Sequence, residues 1–80
     1  MEAQLTVEYD REGDILYLGK RAPYPEQMSA ELEYGVIARL NPDTQEVENL
    51  EVLFFSQRLA DGETLRLPIF AEFHLAHMTS

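Results

Sequence analysis

The segment MSAELEYGVIARL, Met28 to Leu40, decides the fold. Its even positions are Met28, Ala30, Leu32, Tyr34, Val36, Ala38 and Leu40, all apolar or aromatic. Its odd positions are Ser29, Glu31, Glu33, Gly35, Ile37 and Arg39, mostly polar. Successive side chains of a strand point to opposite faces, so this parity reads as a strand with one buried and one wet face. The alternation runs unbroken through Gly35. It therefore predicts one long strand, bent at the glycine.

Downstream, Asn41-Pro42-Asp43-Thr44 is a turn with proline at its favoured second position. A further strand follows from Gln45 to Leu53. It carries a phase fault, because Val47 is odd whereas Leu50 and Val52 are even. One inserted residue shifts a period of two in this way, which places a β-bulge at or next to Asn49. Asparagine also tolerates the left-handed region better than most residues. Phe54 to Ala60 reads as a short helix closed by Asp61-Gly62, with Phe54 and Leu59 covering the sheet. Pro68 opens a second helix from Ile69 to His77, with Ile69, Phe70, Phe73 and Ala76 inward; alternation of Ile69, Ala71, Phe73 and Leu75 fits a strand as well.

Upstream, Gln4 to Tyr9 alternates as a strand. Asp10 to Gly13 is turn chemistry, with Gly13 as the source of a positive φ. Ile15 to Leu18 is apolar on both faces and reads as central. Lys20 to Gln27 is a loop that Pro23 and Pro25 hold extended. The expected architecture is α+β: a four-stranded, mainly antiparallel meander with a short helix and a C-terminal segment packed on one face. It forms a single domain over 1–80.

Eighty residues bury only about 60% of the surface that the unfolded chain exposes, so oligomerisation or a partner adds needed stability. With no cysteine there is no disulfide and no thiolate chemistry, in keeping with a reducing cytoplasm. The first residues, MEAQLTVEYD, lack the basic and apolar regions of a signal peptide, and no apolar run approaches the ~20 residues that span a bilayer. Fifteen acidic and six basic side chains give a net charge of −9. That charge argues against direct binding of nucleic acid or an anionic membrane and favours a basic protein partner.

Tyr9-Asp10-x-Glu12-x-Asp14-x-Leu16-Tyr17-Leu18 resembles the opening of the small prokaryotic family called domain of unknown function 2283, which reads Tyr-Asp-x-x-x-Asp-x-Leu-Tyr-Ile. Gly35-Val36-Ile37, the turn Asn41 to Thr44 and Val47-Glu48-Asn49-Leu50-Glu51-Val52-Leu53 resemble the motifs that follow. The likeness spans a core of about 5–59 and leaves a C-terminal extension, 63–80, outside it. Asn49 stands where that family has glycine. The resemblance implies a compact sheet with a helix and no established activity. Some of its members resemble the smaller partner of a ribonuclease-like toxin, which implies an antitoxin-like role here.

Among chemical candidates, Asp10, Glu12 and Asp14 offer three carboxylates to Ca²⁺ or Mg²⁺. The glycine falls at the fourth position of that stretch rather than the sixth, and Arg21 stands where an EF-hand has its last glutamate. The competing reading is a turn shaped by Asp10, with Asp14 paired to Arg11 at the surface. His74 and His77 at helical spacing, with Glu72, have the residue types of a zinc site but no third ligand in register. Glu31 and Glu33 on one wet face have the separation of paired glycosidase carboxylates without a cleft. No catalytic constellation and no cofactor motif is expected. Tyr24 on its stiff loop, Ile37 on the wet face, and the adjacent Phe54 and Phe55 are the partner-binding candidates. Homodimerisation is the other means of covering an edge strand. Gly13, Gly35 and Asn49 are expected to serve structure.

Overall fold

The computed structural model describes residues 4–75. It is a small α+β fold built on one antiparallel sheet. The strands are β1 (Thr6–Asp10), β2 (Ile15–Gly19), β3 (Met28–Glu33), β4 (Val36–Leu40) and β5 (Val47–Leu53), followed by one helix, α1 (Phe55–Ala60). The sheet has five strands, not four, and its order is β1-β2-β5-β4-β3. It is therefore not a meander. Two hairpins, β1–β2 and β3–β4, flank β5, which pairs with β2 on one side and β4 on the other.

The fifth strand arises because Met28–Leu40 is a hairpin rather than one long strand. Tyr34 and Gly35 turn the chain, and Gly35 has φ 76°, a backbone state that glycine enters without steric cost. Glu33 lies opposite Val36, a pairing that by itself would swap the parity of the two arms. A register shift between Glu31 and Glu33 inserts one residue and restores it, so Ala30 lies opposite Ala38 and Met28 opposite Leu40. A tight turn plus a bulge thus reproduces the pattern of an uninterrupted strand.

The pairings sort the side chains into two faces, since directly opposite residues share a side. Val7, Tyr9, Leu16, Leu18, Leu50, Val52, Val36, Ala38 and Ala30 lie on one face, where Glu33, opposite Val36 at the end of β3, brings a charge to the edge. Glu8, Tyr17, Glu51, Ile37 and Glu31 form a row across the other. The buried core is small: Val36, Ala38 and Val52 at the centre of the apolar face.

α1 buries none of its residues, and Leu59 is 66% exposed. It does not cover the sheet as expected, because six residues make under two turns and cannot carry an apolar stripe. Two polar pins hold it at one end of the sheet instead. Arg58 Nε donates to Leu53 O at 2.9 Å, its Nη2 to Tyr34 O at 2.6 Å and its Nη1 to Glu63 at 2.6 Å. The other pin is Asp14, described below. The helix closes on Gly62, φ 66°, where Gly62 N–H bonds Leu59 O and Glu63 N–H bonds Arg58 O, a Schellman pair.

Residues 63–75 contain neither helix nor strand. The expected helix from Ile69 does not form in its described part; Ala76 and His77 lie outside the described residues. A helix of nine residues is marginal without a surface to pack on. Leu65, Leu67 and Ile69 are half-buried, and residues 69–73 bound a hollow of about 220 Å³ with Leu5, Leu18, Val47 and Leu50. Among the described residues no helix is long and apolar enough to cross a membrane.

Candidate interaction surfaces

The acids of the β1–β2 turn do not converge on a common point. Asp10 Oδ1 accepts the Glu12 N–H at 3.1 Å, an Asx turn. Glu12 points to solvent. Asp14 turns to α1: its Oδ1 accepts the Ser56 N–H at 2.9 Å and the Tyr9 hydroxyl at 2.5 Å, and its Oδ2 accepts the Ser56 hydroxyl at 2.8 Å. Its backbone carbonyl accepts the Phe55 N–H at 3.0 Å. Asp14 therefore satisfies helix N–H groups from a distant part of the chain, a role the sequence assigned to no residue. The Tyr9 hydroxyl, then the Ser56 amide, hold the Asp14 carboxyl below its ordinary value, and Asp14 in turn raises Tyr9. The positive φ of this turn, 57°, belongs to Asp14 and not to Gly13, because aspartate tolerates that region. Among the described residues no three His, Cys, Asp or Glu side chains are placed to hold a metal ion. We expect Asp14→Ala to speed amide exchange in residues 55–60 by roughly tenfold while the central strands keep their protection. Unchanged exchange in the helix would refute the capping role.

At the other end of the sheet, one buried carboxylate gathers the long β2–β3 connection. That connection must cross three strand spacings, about 14 Å, to reach the far edge. It passes the end of β5, where Arg39 lies opposite Asn49 and Leu40 opposite Val47, so Glu48 is the extra residue of a bulge. Asn49 stands beside the bulge, yet its φ is negative. Its value there is its amide, which donates to Arg21 O at 2.7 Å and accepts from Gln27 at 2.8 Å. Glu48 Oε1 accepts from the Tyr24 hydroxyl (2.7 Å) and Gln27 (3.0 Å); Oε2 accepts from Asn41 (3.2 Å) and Arg21 (3.4 Å). The Tyr24 and Gln27 bonds, in that order, bring its carboxyl down to about 2. The sequence signal for this residue was present: an acid on the strand where the parity slips.

Tyr24 is thus committed to the fold, with its ring under the Arg21 guanidinium at 4.7 Å. Ile37 is half-buried on the polar face between Glu31 and Glu51. Phe54 and Phe55 diverge. Phe55 packs tilted against Tyr9, whereas Phe54, left-handed at φ 57°, stacks on Tyr34 at 5.8 Å. Tyr34 is 77% exposed, and the stack borders a hollow shared with Gln57, Arg58, Asp61 and Glu63. Glu31 and Glu33 do not share a face: the bulge sets one across from Ile37 and the other across from Val36. His74 sits on irregular chain, 3.5 Å from Glu72.

Ion pairing leaves the surface negative. Lys20, Arg21, Arg39 and Arg58 pair with Glu46, Glu48, Glu51 and Glu63, so four of the six basic side chains are already engaged. Compared with known proteins, the chain matches no protein-family model, no curated protein and no solved structure.

Proposed function

We propose that the protein is a non-enzymatic interaction module for a basic protein partner. The observation that carries this reading is the disposition of charge around the Tyr34–Phe54 stack. An exposed aromatic pair lies beside Asp61 and Glu63 on a chain whose basic groups are mostly consumed internally. Aromatic anchors with a charged rim are the usual make-up of a binding hot spot. The resemblance noted above supports a more specific form, an antitoxin-like partner of a small basic ribonuclease-like toxin. A cytoplasmic setting accords with the absence of cysteine.

Affinity capture from native cells, with the Tyr34→Ala/Phe54→Ala chain as control, tests the proposal. The expected result is a small basic protein retained by the wild type and lost with the control. Its association rate should fall steeply as salt rises. Recovery of the same proteins with both chains would count against this surface.

A further inference from the structure

β3 has a neighbour on one side only. The sheet order ends at β3, which pairs with β4 alone, and among the described residues no other backbone hydrogen bond reaches Met28–Glu33. The outward N–H and C=O groups of the strand form an open row, the kind of template on which a further strand adds.

Edge strands are commonly guarded by lysine, by proline or by a bulge. β3, MSAELE, has neither lysine nor proline. Its guards are the bulge and two acids, Glu31 and Glu33, both exposed and neither in an ion pair among the described residues. The bulge sets Glu31 on the polar face, across from Ile37, and Glu33 on the other, across from Val36. The edge therefore shows a carboxylate to both faces of the sheet. A second copy of β3 would bring like charges together, which disfavours that pairing, whereas a basic strand meets attraction on either face. The edge also runs directly into Tyr34, which stacks on Phe54 beside Asp61 and Glu63. The other edge, β1, lies four strand spacings, about 19 Å, from β3.

We propose that the basic partner docks by adding an extended segment to the β3 edge, with two consecutive basic residues set against Glu31 and Glu33. This rests on the function proposed above and specifies the form of the contact. Ladder hydrogen bonds supply the attachment, and the charges select the partner. Consecutive residues of a strand point to opposite faces, so an adjacent Arg-Lys pair matches two carboxylates that the bulge has set on opposite faces.

NMR titration of the isotope-labelled full chain with the capped peptide Thr-Val-Arg-Lys-Val-Thr tests the inference. Amide shifts should concentrate in residues 28–34, and exchange of the β3 amides should slow. The peptide Thr-Val-Glu-Glu-Val-Thr should not bind. Of the two alternately N-methylated forms of the basic peptide, one should fail to bind and the other should bind as before, because only every second N–H of a strand faces a given neighbour. Glu31→Lys/Glu33→Lys should weaken binding by about tenfold with an unchanged circular dichroism spectrum, since both side chains are exposed. Glu31 also accepts the Gly35 N–H at 3.4 Å, so Glu33→Lys alone, which leaves that bond in place, should weaken binding by about threefold. Shifts scattered over the acidic surface, or equal binding of both methylated forms, would overturn the inference. In the affinity capture described above, a basic protein retained by Glu31→Lys/Glu33→Lys yet lost by Tyr34→Ala/Phe54→Ala would overturn the docking mode and leave the proposed function standing.

Discussion

Replacing Glu48 with alanine should lower the melting midpoint by on the order of 10 °C. The side chain is only 7% exposed and accepts four hydrogen bonds. Its loss leaves the half-buried Tyr24 hydroxyl and Asn41 amide without their acceptor and Gln27 Nε2 with Asn49 alone, and donors left unpaired away from water cost more than the bonds they made. Arg21 is 56% exposed and can return to water. Glu48→Gln should fall between the two, because an amide supplies one acceptor oxygen where the carboxylate supplies two. The same cluster sets an acid dependence. The folded carboxyl titrates near 2, below its ordinary 4.5. Its contribution is therefore complete above about pH 4.5 and is lost as pH falls toward 2. Melting curves between those limits should show a falling midpoint for the wild type and a shallower fall for Glu48→Ala, the remainder reflecting Asp14. Equal slopes would show that Glu48 does not control acid stability.

Gly19→Ala should cost about 2–4 kcal/mol in urea unfolding. Gly19 lies directly opposite Asn49, and a methyl group there would overlap the Asn49 Nδ2 and stand 3.1 Å from its Cγ. The amide must leave, and with it go the bonds to Arg21 O and from Gln27. The effect should depend on position 49. In Gly19→Ala/Asn49→Gly the obstruction is gone, so the double variant should recover part of the loss, although the two amide bonds stay missing. That non-additivity is the signature of a direct contact. If the two losses simply add, the crowding between these positions is not what makes glycine necessary at 19.

The parts of the fold read correctly from sequence are those with local causes. The β1–β2 hairpin, the slip near Asn49 and the glycine stop at Gly62 each follow from a few adjacent residues. The Met28–Leu40 hairpin was hidden for a definable reason. Its bulge restored the parity that its turn would have broken, and parity is the only signal a strand pattern offers. The short helix was placed correctly, but its function was not. Its apolar residues suggested a cover for the sheet, whereas Asp14 and Arg58 hold it at the end through contacts with turns that are far away in sequence. Of the four partner-binding candidates, Tyr24 is engaged with Glu48, and Phe54 joins Tyr34, which was assigned only to the strand pattern.

By itself, then, the sequence determined the class: alternation enough for a sheet, one short helix, a negative surface and no thiol chemistry. Each of these depends on composition or on neighbours within a few positions. Only the tertiary structure decided that β5 sits between two hairpins, that Glu48 receives the crossing loop and that Asp14 caps a helix 42 residues away. Those outcomes depend on which strand pairs with which, and the energy that selects the pairing is shared among side chains that meet only after the chain has folded. The acids of the first turn, Asp10, Glu12 and Asp14, were separated by that pairing, and of Glu46, Glu48 and Glu51, in or next to β5, only Glu48 came to accept from Tyr24 and Gln27 of the crossing loop.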